Sequence, residues 1–515
     1  MATQEAYIAA IDIGTTTLRC HIYNEKAEIK GTGMQKTIVH RPGHGMVEIL
    51  PDVLLEKFTA VVKDAISDAG LEAAQIVAMG ISTLRGTFLT WNRETGVPYH
   101  NFICWNDTRA EKQADVINRS LSFKCLKKAS KLAHIFSRLQ RFEAGSIFRF
   151  MSPHSSIRLY WVLENIPGVK QDAQENKVMF GTIETWLVWK LTKGKVHATD
   201  FSNIAATGMY DMYNKSWNTI HSYYLGIPLN MMPEIKNTSD DFGECDPEFF
   251  GASIPIRAVV GDQQSSSFGQ CCFKEGEVKV TMGTGTFLAL NTGSKICLPE
   301  CGIYPNIAWK LGDEIVYQME CHDSDAGTVI EWGLQMGLYD SPAKSVEVAN
   351  SVEDSDGVCF VPAFFGLQAP INDYNACCSL MGLKPSTTPA HIARAALESI
   401  AFRVVQLYNT ARRRSGTRIR PVLKFDGGVS NNDFIVQLVS SLLLQKVDRP
   451  HNLDMSCLGA AFLAGLGAGI WKNKEELLPL RSSQAIFEPK DVIDTYEPIC
   501  RDWMRAVRRS QEWYV

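Results

Sequence analysis

The run from Ile256 to Val260 is mostly apolar and stops abruptly at Gly261-Asp262-Gln263-Gln264. A short apolar run of this kind reads as a buried strand, and its ending puts Asp262 at the mouth of a strand in an open α/β sheet, where ligands usually bind. A carboxylate there can accept a proton from an attacking hydroxyl. The plainer reading is that Asp262 caps a helix opening at Gln263, and on this segment alone it stands ahead. The balance shifts because the same pattern recurs. Tyr7 to Ile13 reads as a strand running into Asp12-Ile13-Gly14-Thr15-Thr16-Thr17, after which Leu18 to Tyr23 resumes strand character. Val280 to Phe287 repeats that hairpin around Gly283-Thr284-Gly285, and Val422 to Phe425 ends in Asp426-Gly427-Gly428 ahead of a helix.

Each turn has its own chemistry. Successive amides in the first hairpin form an anion-binding nest, to which Thr15, Thr16 and Thr17 add hydroxyls. Asp12 would repel a bare phosphate, so its natural role is to hold a magnesium ion, directly or through water. Arg19 can neutralise terminal phosphate charge. The Gly283-Thr284-Gly285 hairpin repeats this chemistry in the other half. The Asp426-Gly427-Gly428 turn permits close approach of a flat base or a phosphate. A plain structural hairpin explains any one of the three; their ordered succession is the stronger signal.

At 515 residues the chain is too long for one core, and the Gly-, Asp- and Pro-rich Asp240–Ile254 stretch is the expected junction. That gives domains over residues 1–254 and 255–515, read as two α/β domains facing each other across a cleft. Helices are expected over Asp52–Gly70, with Asp52 as cap, and over Ile157–Asn165, Thr182–Leu191 and Met455–Ala468. Another is expected to start at Trp105–Arg109, and Leu397, Ile400, Ala401, Val404 and Tyr408 stripe a long one. Residues 120–155 show no clean period and read as irregular. The formal charge of −4, without a long run of one sign, argues against nucleic acid or an anionic membrane surface as main partner. No Cys-x-x-Cys pair occurs among fourteen cysteines, Met1–Ala6 has no signal pattern, and Cys457–Ile470 is too short to span a bilayer. A reducing, cytoplasmic setting is expected. Assembly as a homo-oligomer is left open.

Several longer motifs bring a resemblance into view. They include Asp12-Ile-Gly-Thr-Thr-Thr-Leu-Arg19, Phe180-Gly-Thr-Ile-Glu-Thr-Trp-Leu187, Gly261-Asp-Gln-Gln264, Gly366-Leu-Gln-Ala-Pro370 and Asp426-Gly-Gly428. With Phe360-Val-Pro-Ala-Phe364 and Leu397-Glu-Ser-Ile-Ala401 they make the chain resemble the FGGY carbohydrate kinases, and within them the glycerol kinases, nearly end to end. Ile81-Ser-Thr83 and Asp454-Met-Ser-Cys-Leu-Gly-Ala-Ala461 are most similar to a divergent animal branch. The resemblance implies two ribonuclease-H-like domains of the actin-like ATPase kind, closing on ATP, Mg2+ and a small polyol such as glycerol. It implies Asp262 as general base, with Asp12 and Asp262 near the metal. Thr15, Thr16, Thr17 and Arg19 would meet the terminal phosphates, and Thr284, Gly327, Gly428 and Asn432 would hold the nucleotide. Arg85, Trp105, Asp262, Gln263 and Phe287 would line the polyol pocket.

Three positions depart from that pattern. In glycerol kinases a glutamate follows the pocket arginine, but here Gly86 follows Arg85; Pro153 stands where a tyrosine is expected, and Arg158 where lysine is usual. Losing a hydrogen bond to a carboxylate forfeits about 1.5–3 kcal/mol, roughly ten- to a hundredfold in affinity. On this reading the glycerol KM is high, and Gly86→Glu lowers it provided the backbone tolerates a side chain. Two alternatives remain: a kinase for another polyol or sugar, and a nucleotide-binding regulator that has lost turnover.

Overall fold

A computed structural model describes residues 5–514, so the signal reading over Met1–Ala6 lies mostly outside the described residues. The chain forms two compact units. The first holds everything through Cys271 together with Asn306–Val316 and Ser456–Leu480; the second holds Cys272–Pro305, Tyr317–Met455 and the chain from Arg481 on.

In the first unit, Tyr7–Ile13, Thr17–Tyr23 and Ile29–Lys36 make an antiparallel meander. Ile76–Thr83 then pairs parallel to the first strand, and Ile254–Gly261 parallel to Ile76–Thr83. Ile8, Ala9, Ala10 and Ile11 are all fully buried, because helices cover both faces of the sheet. The helix Pro51–Asp68 buries Phe58, Val61, Val62 and Ala65. It lies so close to the meander that a Cβ at Gly31 or Gly33 would strike its backbone. The helix Met455–Gly467 does the same at Gly80, which faces the Ala460 carbonyl, and its own Gly459 faces Ser265. Its small residues permit that approach.

The second unit repeats the plan. Val278–Met282, Thr286–Gly293 and Glu314–Asp323 form the meander, and Val422–Asp426 and Lys446–Pro450 follow in parallel. Further edge strands aside, the three meander strands and the two parallel strands that follow stand in the order three-two-one-four-five in each sheet. The helix Pro389–Arg414 buries the expected Leu397, Ile400, Ala401, Val404 and Tyr408. The C-terminal helix Ile493–Ser510 buries Tyr496, Trp503 and Val507.

Several expectations need correction. The Asp240–Ile254 stretch is not a junction: Glu244–Cys245 pairs with Ile254 and Pro255 inside the first sheet. The division falls instead at Cys271, because the strand leading to Asp262 finds its partner at Ile76–Thr83, a pairing that local composition does not report. Asp52 does not cap its helix; Leu50 is the cap residue and Pro51 opens the first turn. The segment after Trp105 turns rather than coils, since buried Asp107 accepts from the Val47 amide (2.6 Å) and from Arg109 (2.9 and 2.8 Å). The helix there is Glu111–Arg119. Residues 120–155 hold two helices, Leu121–Ser137 and Gln140–Ile147, the first capped by the Ser120 hydroxyl. Their period is blurred because many of their apolar side chains face outward.

Burial also sets an acid limit. His21, His100, His154 and His197 are each pushed down to about 4, chiefly by desolvation. Their unfolded value is about 6.5. A depressed folded value means that the unfolded chain binds more protons in between, so this stability is whole above about pH 6.5 and is lost as pH falls toward 4. His154 accepts from the Met151 amide through Nδ1 (3.3 Å) and stacks on Phe148. Urea unfolding should therefore give a smaller free energy at pH 5 than at pH 7, with a shallower pH slope for His154→Phe. An unchanged slope in that variant would contradict the assignment.

Candidate active site

The first hairpin is tied by the Gly14 amide donating to the Thr17 carbonyl (2.9 Å), and it leaves Thr15 and Thr16 exposed. Thr37 braces it from the third strand, its hydroxyl donating to the Gly14 carbonyl (2.9 Å) and its amide to that of Thr16 (3.0 Å). Asp12 and Arg19 lie opposite each other in strand register. Asp12 is buried and accepts from the Ser82 hydroxyl (2.8 Å). Burial raises its carboxyl above the usual range, Arg19 opposes that shift, and the Asp262 carboxylate adds to it.

Gly261 ends its strand with its amide donating to the Ser202 hydroxyl (2.8 Å). A Cβ there would collide with the Arg85 stem, so only glycine lets Arg85 pass beside the strand end. The Arg85 Nε stands 3.5 Å from Asp262 Oδ1, with Asp262 partly exposed. The cap position of the following helix belongs to Gly261, although the Asp262 carboxylate still accepts from the Gln263 amide (2.7 Å). Gln263 is buried beside it. The Trp105 indole donates to the Thr15 hydroxyl (3.3 Å), so the expected polyol wall touches the expected phosphate turn. Thus Asp12, Thr15, Thr16, Thr17, Arg19, Arg85, Trp105, Asp262 and Gln263 all belong to the first unit. Asp262 therefore groups with the expected phosphate hairpin in the first unit, not with the second unit.

In the second unit the Gly283 amide donates to the Gly285 carbonyl (2.9 Å), and the Gly327 amide to that of Gly283 (3.0 Å). Thr284 and Gly327 are thus brought together. A Cβ at Gly327 would meet the Gly283 carbonyl at 2.7 Å. At Gly428 an added Cβ meets nothing within 4 Å, an open surface on the turn after Val422–Asp426. Asn432 is buried and committed: it caps the next helix by accepting from the Ile435 amide (3.2 Å) and donates to Ser345 (3.1 Å). Phe287 stacks on His322 (5.6 Å between rings).

Glu184, Asp325 and Arg158 support the site without a role assigned from the sequence, where Arg158 figures only as a departure from lysine. Glu184 is buried inside the Phe180–Leu187 motif, accepts from Thr199 (2.9 Å) and Thr83 (3.2 Å), and has its carboxyl raised by burial. A lone carboxylate in an apolar helix is the signal that marks it. Asp325 accepts from Thr328 (2.9 Å) and the Phe364 amide (2.9 Å), and burial pushes it up to about 6. Arg158 matters most. Its guanidinium is fully buried and donates to the carbonyls of Gly86 (2.8 Å), Pro153 (2.7 Å), Ser152 (3.0 Å), Ile103 (2.9 Å) and Cys104 (2.5 Å). The three departures, Gly86, Pro153 and Arg158, are therefore one connected arrangement.

Gly86 itself has φ +72°, and an added Cβ would sit 3.5 Å from the Ser155 hydroxyl and 3.6 Å from Arg158. A side chain there costs roughly 1–2 kcal/mol in backbone strain and starts out toward Arg158. The expectation that Gly86→Glu lowers the KM is revised accordingly: the variant should be less stable and leave the glycerol KM unimproved. A folded Gly86→Glu protein with a lowered KM would reverse this.

Two sheets of this order, each carrying a glycine hairpin between its first two strands, are the ribonuclease-H-like fold of actin-type ATPases. The chain belongs to the FGGY family of carbohydrate kinases: the model of the family's N-terminal domain matches residues 7–269 and that of its C-terminal domain residues 278–468. It is accordingly a phosphotransferase with an alcohol group as acceptor. Human glycerol kinase 5 is 47% identical over 508 residues, covering 99% of this chain and 96% of that protein. Glycerol kinase 1 of Clostridium tetani is 36% identical over 510 residues, covering 98% and 99%. The crystal structure of Plasmodium falciparum glycerol kinase with ADP superposes with a TM-score of 0.86 at 30% identity, covering 98% of each chain. No described helix is long and apolar enough to cross a membrane.

Proposed function

We propose that this protein transfers the terminal phosphoryl group of ATP to a primary hydroxyl of glycerol, giving glycerol 3-phosphate and ADP. The observation that carries the proposal is Asp262, partly exposed at a strand end with Arg85 beside it, in the unit that also holds the threonine hairpin. The Asp262 carboxylate takes the hydroxyl proton as that oxygen bonds to the terminal phosphorus, and the bond from phosphorus to the ADP oxygen breaks. Thr15, Thr16, Thr17 and Arg19 balance charge on the phosphates, and Arg85 and Trp105 orient the polyol. Thr284, Gly327 and Gly428 receive the nucleotide; Asn432 serves it indirectly, by fixing the helix start. Asp12 and Asp262, close enough for one charge to raise the other's carboxyl, fit Mg2+, which when bound neutralises phosphate oxygens. The relatives named as glycerol kinases support the choice of acceptor. The fourteen cysteines, none in a disulfide among the described residues, support a reducing cytosol.

A second reading, a kinase for a larger polyol or a sugar, is favoured by the Gly86 wall, which offers no carboxylate where one is expected. ADP release measured over a panel of polyols and sugars separates the two by which compound gives the highest kcat/KM. Regulation can be predicted as well. Bacterial glycerol kinases bind a sugar bisphosphate through a Gly-Gly-x-Arg-like loop; here Phe249–Pro255 has no arginine, and the following Arg257 is paired with Asp241. Fructose 1,6-bisphosphate should not inhibit through this loop. Sub-millimolar inhibition abolished by changes in it would contradict the prediction.

A further inference from the structure

The helix Leu121–Ser137 is built inside out. Phe123 points inward and is 2% exposed, whereas Leu121 (78%), Leu132 (55%), Ile135 (52%) and Phe136 (80%) face outward. At 100° per residue, Leu121, Cys125, Leu132 and Phe136 form one outer stripe, with Lys124, Lys128 and Lys131 exposed along it. The stripe does not stop at the helix. On the neighbouring helix Thr219–Leu225, Ile220 (55%) and Tyr223 (91%) are exposed in turn. Tyr224 of that helix joins the Ser122 hydroxyl (2.8 Å) and so holds the two helices side by side.

The charge around this patch is one-sided. Residues 119–149 contain eight Lys and Arg and one Glu, in a chain whose formal charge is −4. Among the described residues, no ion pair engages Lys124, Lys127, Lys128 or Lys131. A long apolar stripe flanked by unpaired lysines narrows the choice of occupant. A second copy of the same patch would bring like charges together. Nucleic acid would use the lysines but gains nothing from Leu132, Ile135 and Phe136. A bilayer with anionic headgroups uses both features: the apolar side chains sink about 5–10 Å into the headgroup boundary, and the lysines reach up to phosphate.

We propose that this face, led by the helix Leu121–Ser137, docks the protein on anionic phospholipid surfaces. The helix is about 25 Å long, so one side of the first unit lies flat on the surface without any segment crossing it. Sequence charge counted over the whole chain hides this, because acidic residues elsewhere cancel the local excess. The proposal is independent of the acceptor assigned above, since none of its residues belongs to the active site.

The test is flotation of the full chain with vesicles of phosphatidylcholine alone and with added phosphatidylserine. Binding is expected only with phosphatidylserine, and it should weaken as salt rises. A Leu132→Glu/Phe136→Glu variant should lose at least about tenfold in partitioning, and Lys124→Glu/Lys128→Glu should also lose the preference for phosphatidylserine. All four side chains are exposed, so circular dichroism and ADP release in solution should match the parent protein. Absence of vesicle binding, equal binding to both vesicle types, or binding that survives the Leu132→Glu/Phe136→Glu change would overturn the proposal. So would retention by an acidic polypeptide in place of vesicles.

Discussion

Asp262→Asn is expected to lower turnover by roughly 10²–10⁴, the range usual for losing a general base. Asparagine keeps the shape beside Arg85 and the contact to the Gln263 amide through its own oxygen, so the fold should be undisturbed. Affinity for ATP should change little, because the Asp262 side chain stands beside Arg85, the proposed acceptor contact, and Asp12 remains to hold the metal. The loss should therefore appear in kcat with the KM for ATP nearly constant, the pattern of an interaction made in the transition state. Near-normal turnover would remove Asp262 from the proton transfer.

Arg158→Met should be the most destabilising single change near the pocket. Five carbonyls would lose the guanidinium in a fully buried place; Gly86 keeps the Ser155 hydroxyl and Cys104 the Asp107 amide, and methionine offers no donor to the others. Stripping buried acceptors such as those of Ser152 and Pro153 of this donor costs about 3 kcal/mol, read as a lower midpoint in urea. Burial already lowers the guanidinium to about 10, so it stays charged at neutral pH. Arg158→Lys restores the residue usual in the family, but an ammonium supplies three donors where the fork supplies five. It should fold and raise the acceptor KM more than the KM for ATP, because the anchored carbonyls include Cys104, next to Trp105, and Gly86, next to Arg85. Wild-type stability in Arg158→Met would show that these carbonyls do not depend on the guanidinium.

Much of the sheet plan is legible in the sequence because strand-then-glycine-turn is a local signal. The Asp12–Thr17 and Met282–Thr286 hairpins announce themselves by a glycine between apolar runs, and Gly427-Gly428 by its place after Phe425. What stays hidden is long-range. Ile254–Gly261 reads as the start of a new domain until its pairing with Ile76–Thr83 is known, and nothing local says that Ser456–Leu480 returns to the first unit. The helices at Leu121–Ser137 and Gln140–Ile147 escape notice for a different reason. Periodicity finds helices by their buried stripe, and here an apolar stripe faces solvent. Gly86 could be seen as a missing carboxylate, but its positive φ and its tie to Arg158 follow only from the folded chain.

The central claim is that this chain phosphorylates an alcohol, glycerol first, with Asp262 as base. The most direct measurement is glycerol-dependent ADP release by the intact protein with ATP and Mg2+, run beside Asp262→Asn and a panel of larger polyols and sugars. The account predicts release that saturates with glycerol, at a KM high for a glycerol kinase, and that falls by roughly 10²–10⁴ in the variant. ADP release that no polyol or sugar stimulates, or that Asp262→Asn leaves unchanged, would contradict it.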